Sequence, residues 1–386
     1  MAKRFRLIVR RVGAAVEHAF ESGPLRAQDA EWGPYPVRIP ADARPGAYVA
    51  RCVASHEAWP LDQHFDSRSG AALFVVRPSR ARAPIVFNIP LFTYHAYSSG
   101  IVDPHENETT GSSLYTGAKS VTLRRPGGGV GGHLWDEKNV DVYDRSSPRQ
   151  SFAHWDARAL AWLEREGYDV ECVTDYDLHT DPTLLDGRRL VTCFGHHEYW
   201  TDSMRARAEA FIEGGGNVAF FGANALWFRI RFDSGAMSIA RAGAWPVGEE
   251  AFTGASYRYG GGKWIGARPE LGYTVKDAEH WAFAGCGFSP GGTFGAAARL
   301  IGYECDGVPD GDAGCGPATE IARADLRTWN VADDSGEVFP NGHASFAVRA
   351  ARGTVVHAGT VDWPRLLGVD PSVTRITQNV IAHCAT

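Results

Sequence analysis

Two histidines, a glutamate, a tyrosine and a tryptophan leave one apolar run together in FGHHEYW (194–200). The run before it, RRLVTCFG (188–195), reads as a strand buried on both faces, and a helix start follows at Thr201 or Asp202. In open α/β sheets, ligands bind just beyond the carboxyl ends of the strands. Burying so much ionisable chemistry is costly unless the groups pair or hold a metal. The segment therefore suits metal or acid–base chemistry; the plainer alternative is a polar cluster that caps the next helix and closes the sheet edge.

Three more segments end strands in the same way: FTYHAYSS (92–99), FGANALW (221–227) and AGTVDW (358–363). If FTYHAYSS is extended, strand alternation cannot bring Tyr94, His95 and Tyr97 into one site, and taken alone its tyrosines are packing residues. His105, Glu106 and Glu108 of PHENE read as a solvated loop before they read as a metal site. GGGVGGH (127–133) follows Arg-Arg-Pro and lacks GxGxxG spacing, so it is no dinucleotide loop. Cys193 lies inside LVTCFG and not on the sharp turn a nucleophile elbow needs.

The elements that must position these residues alternate. IVFNIP (85–90), YDVECVT (168–174), RRLVTCFG, NVAFFG (217–222) and TVVHAG (354–359) are strand candidates. WDARALAWLEREG spaces Ala157, Leu160, Ala161 and Glu164 as a helix, with Gly167 suited to C′. TDSMRARAEAFIEGGGN places Met204, Ala208, Phe211 and Ile212 on one helical face, and VTRITQNVIAHC does so with Val373, Ile376, Val380 and Ile381. This rhythm predicts a parallel sheet with helices on both faces. Ahead of it, YPVRIP, GAYVARCV and ALFVVRP predict a β-rich segment over 1–83, and PSRARAP (78–84) a linker. The expected divisions are 1–83 and 84–386. The second carries a polar loop over 98–150 and a loop and antiparallel excursion around 233–345.

The chain has 386 residues, with Lys+Arg 39 against Asp+Glu 45 and a net charge of −6. That balance is a poor match to a nucleic-acid binder, which carries a basic footprint. No run of about 18 apolar residues predicts a membrane span. The basic start, MAKRFRLIVRRV, lacks the clean apolar core of a signal peptide and is read as cytoplasmic. The odd count of seven cysteines, none in CxxC spacing, suits buried free thiols. Cys305 and Cys315 flank a Gly/Asp-rich loop, but no His/Cys spacing there supports zinc.

SFAHWDARALAWLEREGYDVECVTDYDLH (151–179) followed by GHHEYWTDSMRARAEAFIEGGGNVAFFGANALWFRIR (195–231) resembles the large, catalytic subunit of the N,N-dimethylformamidase family. TYHAYSS, GSSLY, VVHAGTVDW and VTRITQNVI carry the same resemblance, which spans about residues 85–386. It implies a class I glutamine amidotransferase-like, flavodoxin-like α/β fold. It also implies hydrolysis of an N-substituted formamide or related small amide at one Fe3+ per chain. By motif the metal ligands are Tyr97, with Tyr94 as rival in the same short motif, Tyr115 of GSSLY and Glu198 of HHEYW. His196, Asn224 of GANALW and Glu304 of GYECDG match residues of the substrate pocket. Hard oxygen donors suit a hard ion, and three protein ligands leave positions open. His196 is expected to move protons and Asn224 to donate to the oxyanion. The expected partner is a small-molecule amide, with no nucleic acid or membrane, and a homo-oligomer is compatible with the composition. Two other functions fit the residues: a binding or scaffold protein keeping the fold, and an iron–tyrosinate redox enzyme.

Overall fold

The computed structural model describes residues 4–26, 35–56, 58, 71–78, 83–97, 113–114, 117–123, 152–261, 270–302, 304–310, 318–326 and 342–386. PHENE, GGGVGGH, Tyr115 and Cys315 lie outside the described residues.

The five apolar runs form strands Ile85–Ile89, Val170–Thr174, Leu190–His196, Asn217–Ala223 and Thr354–His357. Each pairs in parallel with its neighbours, in the order second, first, third, fourth, fifth by chain position. Both faces of these strands are buried, which is why the sequence shows continuous apolar runs and no alternation. Alternate residues nonetheless serve different cores. Phe87, Phe194 and Phe221 face one core with helices Asp156–Arg165 and Pro371–Cys384. Val86, Val191, Val218 and Phe220 face the other, with Met204, Ala208 and Ile212 of helix Asp202–Glu213. Each large apolar side chain so buried is worth about 1.5–3 kcal/mol relative to exposure.

The helix termini follow their side-chain chemistry. Thr201 caps one helix by accepting from the Met204 N–H, and Asp370 caps another by accepting from Ser372 and Val373. Gly167 holds a φ of 79° just past the Asp156–Arg165 helix.

The central sheet is mixed, not wholly parallel. Beyond Thr354–His357 it continues antiparallel through His343–Ala350, Ala318–Asp325, Tyr273–Val275 and Thr293–Phe294. The short turn at 351–353 forces that change of direction, since a parallel partner needs a long crossover. The 233–345 stretch thus adds strands to the sheet itself.

The first residues differ from the sequence expectation. Arg4–Val12 is a strand, the centre of an antiparallel sheet with Val16–Glu21, Gly46–Ala54 and Ala71–Val76. YPVRIP is irregular: Pro36 and Pro40 bring no backbone N–H to a ladder. The sheet packs Ile8, Val12, Val49, Val53 and Leu73 into the same core as Ile85 and Phe87. Arg11 joins it to the helix through both oxygens of Glu164.

The described cysteines are free thiols. Among the described residues no helix is long and apolar enough to cross a membrane.

Candidate active site

The carboxyl ends of strands Leu190–His196 and Asn217–Ala223 lie side by side, with Gly195 opposite Gly222. A Cβ on Gly222 would stand 2.0 Å from the Gly195 carbonyl oxygen, and one on Gly195 would stand 2.6 Å from the Trp155 side chain. Only glycine allows the two strand ends to approach this closely, and the chain then turns sharply into His196–Glu198 and Asn224–Leu226. The second turn is strained: Asn224 has φ 51° and Leu226 φ 57°. It is pinned by Leu226 N–H to His197 O and Phe228 N–H to Glu198 O, both 2.9 Å.

FTYHAY is not extended. Leu91–Tyr97 is a helix, and its N-terminal Phe92 N–H donates to the Asp175 carboxylate at 3.0 Å. On a helix Tyr94 and Tyr97 are one turn apart, yet their hydroxyls part. Tyr97 donates to Glu198 Oε2 at 2.6 Å, whereas Tyr94 donates to Asp156 at the head of the Asp156–Arg165 helix. Thr93 Oγ1 accepts from the Tyr199 N–H at 3.2 Å, fixing the helix against the HHEY turn. Leu114, next to Tyr115 in sequence, donates its N–H to Ala96 O at 2.9 Å. Tyr115 itself lies outside the described residues.

Three of the expected residues, Tyr97, Asn224 and His196, converge on Glu198, and Glu304 joins them through His196. Asn224 Nδ2 donates to Glu198 Oε1 at 3.1 Å, so one of the two N–H groups of this amide orients the carboxylate. His196 Nε2 lies 3.8 Å from Glu198 Oε2 and 2.7 Å from Glu304 Oε2. The His196–Glu304 contact does not meet the geometry of a hydrogen bond, so neither ring nitrogen has an aligned partner among the described residues, and it becomes an ion pair only when the ring is protonated. His196 is further held between the rings of Tyr97 and Trp155, with centroids 5.5 and 5.7 Å away. All of these side chains are at least nine-tenths buried.

Burial penalises every charge here. It pushes the Tyr97 phenol well above its usual range, and the neighbouring Glu198 adds to this. It also raises Glu198, with His196 pulling the other way. For His196 burial favours the neutral ring, but Glu304 and Glu198 outweigh it and lift the imidazole to about 8. His197, without such acids, is held neutral by burial and by the adjacent His196, at about 3.

Sequence reasoning missed Asp306 and His357. Asp306 lies on strand Cys305–Gly307, two residues after Glu304, which immediately precedes that strand. The only hint in the sequence was that i, i+2 spacing inside a poorly patterned stretch. Among the described residues no three His, Cys, Asp or Glu side chains form a metal-holding group; Tyr97 and Glu198 instead bring two oxygens together, with His196 beside them.

A family model described as "N,N-dimethylformamidase beta subunit-like, C-terminal" matches residues 11–377. The chain belongs to this N,N-dimethylformamidase beta subunit-like family. The match takes in the sheet that carries the site and most of the N-terminal strands. No curated protein matches the chain. Among solved structures, a β-galactosidase from Rahnella sp. R3 aligns with TM-score 0.35 and 14% identity, over 59% of this chain and 26% of that one. The family membership therefore rests on the sequence model and not on that structural likeness.

Proposed function

We propose that this dimethylformamidase-like protein hydrolyses the C–N bond of an N-substituted formamide or related small amide at the site around His196 and Glu198. The observation that carries this is the buried contact of one imidazole with two acids, beside a phenol already bonded to one of them. An imidazole so placed can take a proton from attacking water and return it to the departing nitrogen. Water adds to the formyl carbon, the C–N bond breaks, and the products are formate and an amine. Glu304 stabilises the charged ring while it holds the proton. Asn224 keeps Glu198 oriented.

The donor chemistry suits one hard ion per chain, Fe3+, with Tyr97, Glu198 and Tyr115 as the residues that would hold it. Two of the three are buried oxygens in mutual contact. When bound, such an ion polarises the amide carbonyl and acidifies water. We further read the parallel half of the sheet as amidotransferase-like and flavodoxin-like; its second-first-third-fourth-fifth order supports that reading.

Purified protein incubated with N,N-dimethylformamide should release formate and dimethylamine in equal amounts without oxygen uptake. Metal analysis should find about one iron per chain. Protein that carries iron but consumes oxygen would favour a redox enzyme. Protein with neither iron nor turnover on small amides would favour a binding protein.

A further inference from the structure

Asp306 is completely buried and accepts three hydrogen bonds. Its Oδ1 takes the Asn224 N–H at 2.8 Å, and its Oδ2 takes the Ala225 N–H at 3.1 Å. His357 Nε2 lies 2.9 Å from the same Oδ2, and its Nδ1 has no partner among the described residues, so the ring carries its proton on Nε2 and donates. Both N–H groups belong to the turn in which Asn224 adopts φ 51°. Asparagine tolerates that conformation better than most residues but does not choose it, and the Leu226 that follows, with φ 57°, tolerates it poorly. A carboxylate bridging two successive backbone N–H groups supplies the restraint. The same turn aims Asn224 Nδ2 at Glu198. The residue just before one short strand, Glu304, thus reaches His196, and Asp306, two residues on within the strand, reaches the Asn224 turn.

We infer that Asp306, oriented by His357, is a positioning residue: it locks the 224–225 turn so that the Asn224 amide holds the Glu198 carboxylate in its working rotamer. The kinetic part of this rests on the amide-hydrolase reading; the geometric part does not.

Asp306→Asn keeps the shape but presents an NH2 to one of the donors that the carboxylate satisfied. The crystal structure of Asp306→Asn should show Asn224 out of the left-handed region or its amide off Glu198. An Asn224 unchanged in both respects overturns the proposal, whatever the protein's activity. In turnover, Asp306→Asn should lower kcat about 10- to 100-fold, the usual effect of a group behind a site residue, with KM little changed. Because Asp306 acts through Asn224, the double variant Asp306→Asn/Asn224→Ala should be no slower than Asn224→Ala alone. Losses that multiply would overturn the proposal. If wild-type protein turns over no amide, the hydrolase reading fails and the Asn224 geometry alone decides this one. Where Asp306→Asn does not fold, His357→Leu and His357→Gln replace it: loss of the donor should lower kcat, the glutamine should restore part of it, and equal behaviour of the two would overturn the role.

Discussion

His196 at the end of one parallel strand meets Glu304, from a segment more than a hundred residues later in the chain, at 2.7 Å. Neither residue has another described acid–base partner as near: Glu198 is 3.8 Å from the same ring. The pairing gives His196 a proton affinity that its burial alone would deny it, which is what the proposed proton-transfer role asks of the imidazole. His196→Ala is expected to lose two to four orders of magnitude in turnover, roughly the scale of acid–base catalysis, with the fold retained. Glu304→Gln should lower kcat more than it raises KM, because it removes charge stabilisation and not substrate contact. Near-normal turnover in His196→Ala, measured as formate release, would make the histidine structural.

Tyr94 and Tyr97 give the sharpest contrast. Both are buried on one short helix, but only Tyr97 reaches Glu198. Tyr97→Phe should lower iron content, the phenolate-to-iron colour and activity together. Tyr94→Phe should keep all three and cost only its bond to Asp156, about 1 kcal/mol for an ordinary hydrogen bond. Tyr115→Phe is expected to follow Tyr97→Phe. Iron analysis with visible absorption reads each variant; full colour in Tyr97→Phe removes that residue from the ligand set.

The parallel strands were legible because burial on both faces leaves a continuous apolar run, as in RRLVTCFG and NVAFFG. The 202–213 helix was legible from its period and its cap, and the 371–384 helix from its period alone. Arg4–Val12 was not, because its four arginines interrupt the apolar pattern, whereas Arg10 is buried and Arg11 is paired across to Glu164. Helix Leu91–Tyr97 was missed because Pro90 suggested only a strand end; proline equally suits the start of a helix. In the site, His196 and Glu198 were readable as neighbours in one motif. Their contact with Glu304, and the support from Asp306 and His357, come from pairings between distant segments that no local pattern encodes.

The two glycines at the strand ends test how tightly the site is built. A methyl group on Gly222 meets backbone, the Gly195 carbonyl, and cannot be relieved by a rotamer change. Gly222→Ala should therefore destabilise by about 1–3 kcal/mol or more, as overpacking does, and disturb His196 as well. Gly214→Ala, whose added carbon would meet carbonyl oxygens no nearer than 3.3 Å, serves as the control. Equal urea midpoints for the two variants would show that the strand ends give way.

The Arg11–Glu164 ion pair is one of the polar links between the N-terminal sheet and the α/β part of the chain, beside those that Arg77 makes to Glu171, Asp177 and Asp181. Arg11 is nearly buried and Glu164 about one-fifth exposed, and Glu164 also accepts from the Ala14 N–H at 3.0 Å. Burial opposes the Glu164 charge, but Arg11 and the backbone N–H outweigh it, so its pKa falls below the usual carboxylate value. A carboxylate with a depressed folded-state pKa stabilises the fold at pH values above its unfolded pKa, about 4.3, and that contribution is lost as pH falls through the folded value. Glu164→Gln should cost about 1.5 kcal/mol near pH 7, the lower end for hydrogen bonds to charged groups because water screens the exposed edge. The gap between wild type and variant should then narrow as the pH is lowered from 5 toward 3, because the wild-type carboxylate takes up a proton and comes to resemble the amide. Thermal or urea midpoints of the two proteins across that range measure the gap directly. A gap that stays constant down to pH 3 would mean that Glu164 acts by packing its methylenes against Arg11 and not by its charge.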